Sequence, residues 1–462
     1  MIFTTFTFLV FILIVLPLYF LLPHRAQNVM LLAASYVFYG WWDWRFLFLL
    51  LFSTVLDYMI GLGLAAPRLV NRRKALVTIS IVTQLLLLGV FKYYDFFATS
   101  FATLASQFGW HVDPWLIQLV LPVGISFYTF HTLSYTIDIY RGILAPTRDF
   151  IAFALFISFF PQLVAGPIAR ARHLLPQMIN PRHPLLTDWF EGCYLFYWGL
   201  FKKVVVADTL AQIVDKAFTN PARLNAFTVL VAVYAFAWQI YCDFSGYTDM
   251  ARGCSKWFGI DLQINFKVPY LSVDPSDFWK RWHISLSSML RDYLYIPLGG
   301  NRYGRTYRNL ILTMLLGGLW HGANWTYALW GLYHGVLLVA YRLICPGLET
   351  RLKSPWARAL HTIWFFHLVC LGWLIFRADS ITQLAGLLEA FTRAPKFEPG
   401  LAARLLVAVP VFLLELAIYF RNDQVAFLRF PWIVRVVVYV GIYWALLTVG
   451  RWGTEGFIYF QF

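Results

Sequence analysis

The sequence predicts an all-α integral membrane protein, with about ten to twelve transmembrane helices plus re-entrant or short helices. Three observations carry this. Of 462 residues, 60% are hydrophobic and only 13% charged, against roughly 25% charged in soluble domains. Apolar runs of about 20 residues, long enough to cross a bilayer core, recur along the chain. Aromatic residues make up 19%, and many Trp and Tyr stand near run ends, where amphipathic rings favour the headgroup level.

The first run, residues 2–22, has no basic segment before it and no small-residue cleavage site after it, so it reads as a retained span. With the amino terminus outside, it delivers His24 and Arg25 to the cytosol. Residues 30–41 return to the outside at Trp42-Asp43-Trp44-Arg45, and residues 46–65 end inside at Arg68, Arg72, Arg73 and Lys74. Residues 75–90 exit near Lys92 and Asp95, and residues 115–140 re-enter at Arg141 and Arg148. Basic loops thus fall on alternate connections, as the positive-inside rule requires.

The middle is less regular. Residues 151–167 are too short and too broken by Pro and Gly for a simple span, and such backbone is tolerated at membrane depth only under a cover of protein or around a cavity. A basic stretch follows (Arg170, Arg172, His173, Arg182, His183). Residues 265–309 are the most polar part, with Lys267, Lys280, Arg281, Arg291, Arg302, Arg305 and Arg308 among Trp, Tyr and Pro. Plain spans resume at 310–320, 325–341, 362–376, 401–420 and 433–449. The chain reads as one polytopic domain, 1–462, divisible into N-terminal helices (1–150), a catalytic core with re-entrant segments (151–345) and C-terminal helices (346–462).

The surplus of 37 basic over 23 acidic residues, a formal charge of +14, is explained by positive-inside topology in a chain this apolar, so no nucleic-acid partner is expected. The five cysteines (Cys193, Cys242, Cys254, Cys345, Cys370) show no paired spacing and read as small buried hydrophobes, with no disulfide framework and no metal site.

His321 stands in LLGGLWHGANWTYALWGLYHG. Ionisable groups at membrane depth are costly and mark function by default. Gly317-Gly318 and Gly322-Ala323 remove bulk on both sides, letting a helix or ligand approach closely. Imidazole is the best neutral-pH general base available, although a core histidine bonded to a carbonyl would look the same. His283 stands in SDFWKRWHISLSSMLRDYLYIPLGGNR, where Lys280, Arg281 and Arg291 would neutralise a phosphate-bearing donor or an acidic carrier. The alternative is an amphipathic interface segment built on Trp279 and Trp282. Trp320, Asn324 and Trp282 are counted with the donor- or substrate-facing residues. His334 reads as a packing residue. Asp243 and Asp249 would line a tunnel or orient a histidine, or else cap a helix break near Ser245-Gly246. Asp138 and Arg141 read as an ion pair closing a span. His183 and Asp188 mimic a His-x4-Asp acyltransferase spacing but lie in a Pro/Arg loop without supporting context. No Ser or Cys nucleophile motif stands out, which favours direct transfer between two bound substrates.

WHISLSSMLRDYLYIPLGGNRYG followed by GGLWHGANWTYALWGLYHG resembles the membrane-bound O-acyltransferase (MBOAT) family, and within it the bacterial alginate O-acetyltransferase branch. SYVFYGWW, LPVGISFYTFHTLSYTIDIYRG, FFPQLVAGPIARARHLLPQ, GLFKKVVVADTLA, YCDFSGYTDMARG and FIYFQF extend the resemblance over nearly the whole chain. Met289 departs from it, standing where Trp is expected. The resemblance implies helices around a central tunnel, with His321 as the active-site histidine and His283 as its partner. It implies transfer of an acetyl group from a cytosolic thioester, acetyl-CoA or another acyl thioester such as a loaded acyl carrier protein, with no bound cofactor. The acceptor would be an exported polysaccharide (alginate-type, with cellulose and others open), modified with a periplasmic acetyltransferase partner at the lipids of a bacterial inner membrane. Within the family, D-alanyl transfer to teichoic acid and peptidoglycan O-acetylation are the alternatives. Outside it stand a transporter and a non-catalytic scaffold of a polysaccharide export complex.

Overall fold

The computed structural model describes residues 1–163, 166–221, 224–302, 304–453 and 456, and at 349 and 350 the backbone alone. The closing FIYFQF string, Tyr303 of the first histidine motif and the Val164-Ala165 step of segment 151–167 lie outside these residues. Every regular element among the described residues is helical. Six helical segments are long and apolar enough to cross a membrane: Phe46–Ala65, Pro67–Gln107, Ala226–Trp257, Trp325–Ile344, Pro355–Arg377 and Pro399–Arg421. Three shorter apolar helices join them, Phe6–Leu21, Phe150–Leu163 and Trp432–Thr448. The protein is a multi-pass membrane protein.

The chain divides into two compact units, one formed by Met1–Gly192 with Ala251–Gln263, the other by Cys193–Met250 with Ile264–Phe462. In the first, Thr5 caps Phe6–Leu21, its side chain accepting from Phe8 N. An aromatic cluster of Phe8, Phe11, Phe38 and Phe160 joins that helix to His24–Gly40 and to the short Phe160–Leu163 helix. Residues 152–163 are wholly buried, so the broken backbone there is covered by protein, as its sequence requires.

Two boundaries differ most from the sequence reading. The helix expected to end near Lys92 continues through a π turn, Gly89–Tyr93, into Tyr94–Gln107. Asp95 does not mark a helix end. Its carboxylate accepts from Ile117 N and Gln118 N at 2.9 Å each, holding the following loop. The run expected from Trp115 becomes helical only at Ile125, because Gly124 adopts φ +77° and Pro122 supplies no N–H.

The 32-residue Ala226–Trp257 helix, whose residues 226–250 belong to the second unit, passes through Ser245 and Gly246 without interruption. The helix break expected there is absent, and Asp243 and Asp249 are not caps. The polar stretch 265–309 folds as short helices, Pro275–Trp279 and Ile284–Leu290, capped and tied by side chains. Thr306–His321 and Trp325–Ile344 form an antiparallel hairpin joined by three residues.

Candidate active site

The hairpin places His321. At Gly318 and Gly331 the two helices touch backbone to backbone: a methyl on Gly318 would collide with the Tyr327 carbonyl and come within 2.9 Å of Gly331 N and Cα. Only a residue without Cβ permits that approach. His321 is the last helical residue, and Gly322 turns the backbone into an extended conformation (φ −163°, ψ 156°). Asn324 then starts the second helix. Its Oδ1 accepts from Thr326 N (3.1 Å) and its Nδ2 donates to Asp379 O (2.7 Å). Asn324 is thus engaged as a helix cap and tie, the usual use of Asn at this position.

His283 reaches the same region by another route. It precedes Ile284–Leu290 in a left-handed conformation (φ 43°, ψ 54°), uncommon for a residue with a Cβ. Asn265 holds it there. Its carbonyl accepts from Ile284 N (2.9 Å), and its Oδ1 accepts from Ser285 N (3.2 Å) and Ser285 Oγ (2.8 Å). These bonds satisfy two of the N–H groups that a helix start leaves open. The ring of His283 is fully buried, 4.7 Å from Phe244, 5.9 Å from Trp320 and 6.2 Å from the ring of His321 between centroids.

A cavity of about 450 Å³ opens beside His321, within the size range of small-molecule sites. Its walls include Leu286, Leu290, Met314, Gly317 and Trp330, and three basic side chains, Lys280, Arg291 and Arg342, also line it. Arg291 is exposed and its Nε donates to Asp292 Oδ1 at 2.7 Å, a pairing that raises the guanidinium pKa further. Arg342 Nη1 donates to Asn301 Oδ1 at 3.3 Å, and Tyr295 Oη donates to the same oxygen at 2.6 Å. A second cavity of about 500 Å³ shares Ser276, Leu310, Leu338 and Arg342 with the first and extends past Tyr341 to Leu348. Arg342 therefore stands on the wall common to both. Sequence reading passed over it because it closes an ordinary apolar helix, where an arginine serves as a helix-end cation.

The other residues singled out from the sequence fall elsewhere. Trp282 is buried among aromatic rings, stacked on Phe278 (5.7 Å) and 4.7 Å from Trp373. Arg281 donates to Asp277 Oδ1 (2.6 Å) and lies 5.7 Å from the Tyr419 ring. Trp320 is buried beside both histidines. His334 is a packing residue, stacked on Phe278 (5.9 Å) and 4.8 Å from Trp330. Among the described residues neither His283, Trp282, Arg281, Trp320 nor Asn324 lines the cavity.

Asp243 and Asp249 belong to a buried ion network that the sequence did not reveal. Lys202 Nζ lies 2.5 Å from Asp249 Oδ2 and donates to Ser245 Oγ (2.9 Å), while Lys203 Nζ pairs with Asp243 (2.7 Å) and Asp208 (2.6 Å). Both lysines are brought inward by the π-helical segment Phe201–Ala207, and Tyr241 donates to Glu415 nearby (2.5 Å). Adjacent lysines in an apolar run carry no sign of Asp243 and Asp249, which come from a separate helix, although Asp208 lies only five residues on from Lys203. Among the described residues no group of three His, Cys, Asp or Glu side chains is placed to hold a metal ion.

Known proteins resemble this chain over much of its length. Residues 143–378 match the sequence profile of MBOAT, the membrane-bound O-acyltransferase family. A protein named probable alginate O-acetylase AlgI in Azotobacter vinelandii is 46% identical over 82% of this chain and 76% of its own length. The peptidoglycan O-acetyltransferase of Helicobacter pylori is 35% identical over 80% of this chain and 76% of its own. The teichoic acid D-alanyltransferase of Bacillus subtilis is 28% identical over 56% of this chain and 69% of its own. A buried histidine lining a ligand-sized cavity is thus carried by a sequence alike over most of its length to such transferases, and the chain belongs to the membrane-bound O-acyltransferase family and is an O-acyltransferase.

Proposed function

We propose that the protein transfers an acetyl group from an acyl thioester to a hydroxyl acceptor, toward O-acetylation of an exported, alginate-type exopolysaccharide. The observation that carries this reading is the cavity lined by His321 together with Lys280, Arg291 and Arg342. The three cations suit the phosphate groups of a thioester donor such as acetyl-CoA, or the acidic surface of a carrier protein, and their charge favours the cytosolic side. The apolar wall would hold the acyl arm and exclude water.

In the proposed reaction His321 takes the proton from the acceptor hydroxyl as its oxygen attacks the thioester carbonyl. The tetrahedral oxyanion is stabilised by a backbone donor or by His283, and its collapse expels the thiolate, which recovers the proton from His321. Because His283 does not line the cavity and its ring lies 6.2 Å from that of His321, we assign it chiefly to positioning the His321 ring. Identity of 46% to the alginate O-acetylase against 35% to the peptidoglycan enzyme favours the exopolysaccharide acceptor. On this reading the enzyme resides in a bacterial inner membrane with its amino terminus outside, and a periplasmic acetyltransferase partner completes delivery to the polymer. The test is His321→Ala in the producing strain. Polymer acetylation persisting at normal levels of the variant protein would sink the catalytic assignment.

A further inference from the structure

The first unit holds a buried carboxylate that acyl transfer at His321 does not use. Asp57 lies midway along Phe46–Ala65 and is fully buried. Each of three helices directs an i, i+4 pair of polar side chains to one place: Ser53 and Asp57, Ser80 and Gln84 from Arg73–Leu88, Thr132 and Thr136 from Ile125–Tyr140. All six are at 0% exposure. Ser80 Oγ donates to Asp57 Oδ1 at 2.6 Å, Gln84 Nε2 donates to Asp57 Oδ2 at 2.9 Å, and Ser80 Oγ lies 3.0 Å from Thr136 Oγ1. Two further oxygens, Ser53 Oγ and Gln84 Oε1, have no hydrogen-bond partner.

Among the described residues, none of the groups around Asp57 supplies positive charge. Arg73, at the start of its helix, donates to the carbonyls of Ile139 and Tyr140, at 3.1 Å each. Tyr58 donates to Arg148 O (2.8 Å), and the Tyr135 hydroxyl accepts from Thr147 N (3.2 Å). Neutral donors spread the charge of a carboxylate without cancelling it, and an uncompensated charge at membrane depth is expensive. An asparagine, with the Gln84 amide turned over to accept from its Nδ2, would make as many contacts without that cost. A carboxylate here therefore calls for a cation, and hydroxyl and amide oxygens are the ligands a small hard cation takes.

We propose that Asp57, with Ser53, Ser80, Gln84 and Thr136, forms a binding site for a small monovalent cation, either Na⁺ or a proton. Rotation of the Gln84 amide by half a turn brings its Oε1 to the carboxylate, where it completes an oxygen cage for Na⁺ or accepts from a protonated Asp57.

The full-length protein in detergent tests this through its melting temperature, measured in NaCl against choline chloride at equal ionic strength and across a pH series. A Na⁺ site raises the melting temperature in NaCl by roughly 3 °C at about ten times its dissociation constant, and further as Na⁺ is increased, and Asp57→Asn abolishes the rise. A proton site leaves Na⁺ without effect. Stability is then greatest at low pH and is lost as pH rises through the folded-state titration, a slope that Asp57→Asn flattens. If Asp57→Asn does not fold, Ser80→Ala keeps the carboxylate while removing one oxygen: it weakens the Na⁺ response several-fold, or, for a proton site, removes a donor to the carboxylate and moves the pH response to higher pH. A wild-type melting temperature indifferent to Na⁺, with a pH response unchanged in the variants that fold, overturns the proposal.

Discussion

Adjacent glycines in the first histidine helix should respond oppositely to the same substitution. At Gly318 an added methyl meets only backbone: the Tyr327 carbonyl, and Gly331 N and Cα at 2.9 Å. No side chain can swing away, so the two helices of the hairpin must part. Overpacking of this kind costs up to about 3 kcal/mol, while Gly to Ala inside a helix returns about 1 kcal/mol. The net loss for Gly318→Ala is about 2 kcal/mol, or roughly 4 °C in melting temperature at about 2 °C per kcal/mol. His321 follows by three residues, and a shift of about 1 Å at a reacting group is worth roughly 100-fold in rate. At Gly317 the methyl meets only Leu290 Cδ1, at 2.8 Å, the far end of a flexible side chain on the cavity wall. Gly317→Ala should therefore hold or raise the melting temperature and mainly alter KM. Thermal unfolding in detergent and initial rates on both variants decide the matter. Equal stability of the two would refute the close backbone seam as the device that sets His321.

Three further outcomes follow from the same geometry. Arg342→Gln should raise the KM for the thioester donor about tenfold with little change in kcat, because its charge meets a remote part of the donor alike in the ground and transition states; a drop in kcat alone would contradict this. Lys203→Met strands the carboxylates of Asp208 and Asp243. It should cost about 3–5 kcal/mol, seen as loss of folded protein on size exclusion, whereas Lys203→Arg should retain part of it. Asn265→Ala removes the side-chain acceptor of Ser285 N and Oγ. It should cost about 1–2 kcal/mol by melting temperature and lower kcat more than it raises KM, since it releases the left-handed turn at His283.

Helical class and the membrane setting were legible in the chain because they depend on composition and on run length, which are local properties. Phe46–Ala65 was found to the residue, and His321 announced itself as a costly group in apolar surroundings, while His283 stood out by the basic residues around it. Boundaries set by distant partners were not legible. Lys92 and Asp95 looked like a helix end, yet the helix continues because Asp95 serves amides more than twenty residues away.

The sequence by itself determined that this is a many-helix membrane protein with an imidazole at His321, flanked by residues small enough for close approach. Only the tertiary structure decided what each polar residue faces. Asn324 and Trp282, beside the histidines in sequence, are turned to a helix cap and an aromatic core. Arg342, well past them, joins the cavity because the hairpin folds back at Gly322. Asp243 and Asp249 meet lysines from another helix and are bound in ion pairs rather than offered to substrate. The physical reason is common to all of these. Burial of a charge at membrane depth compels a partner, but the identity of that partner is a matter of which helices pack together, and no local pattern encodes it.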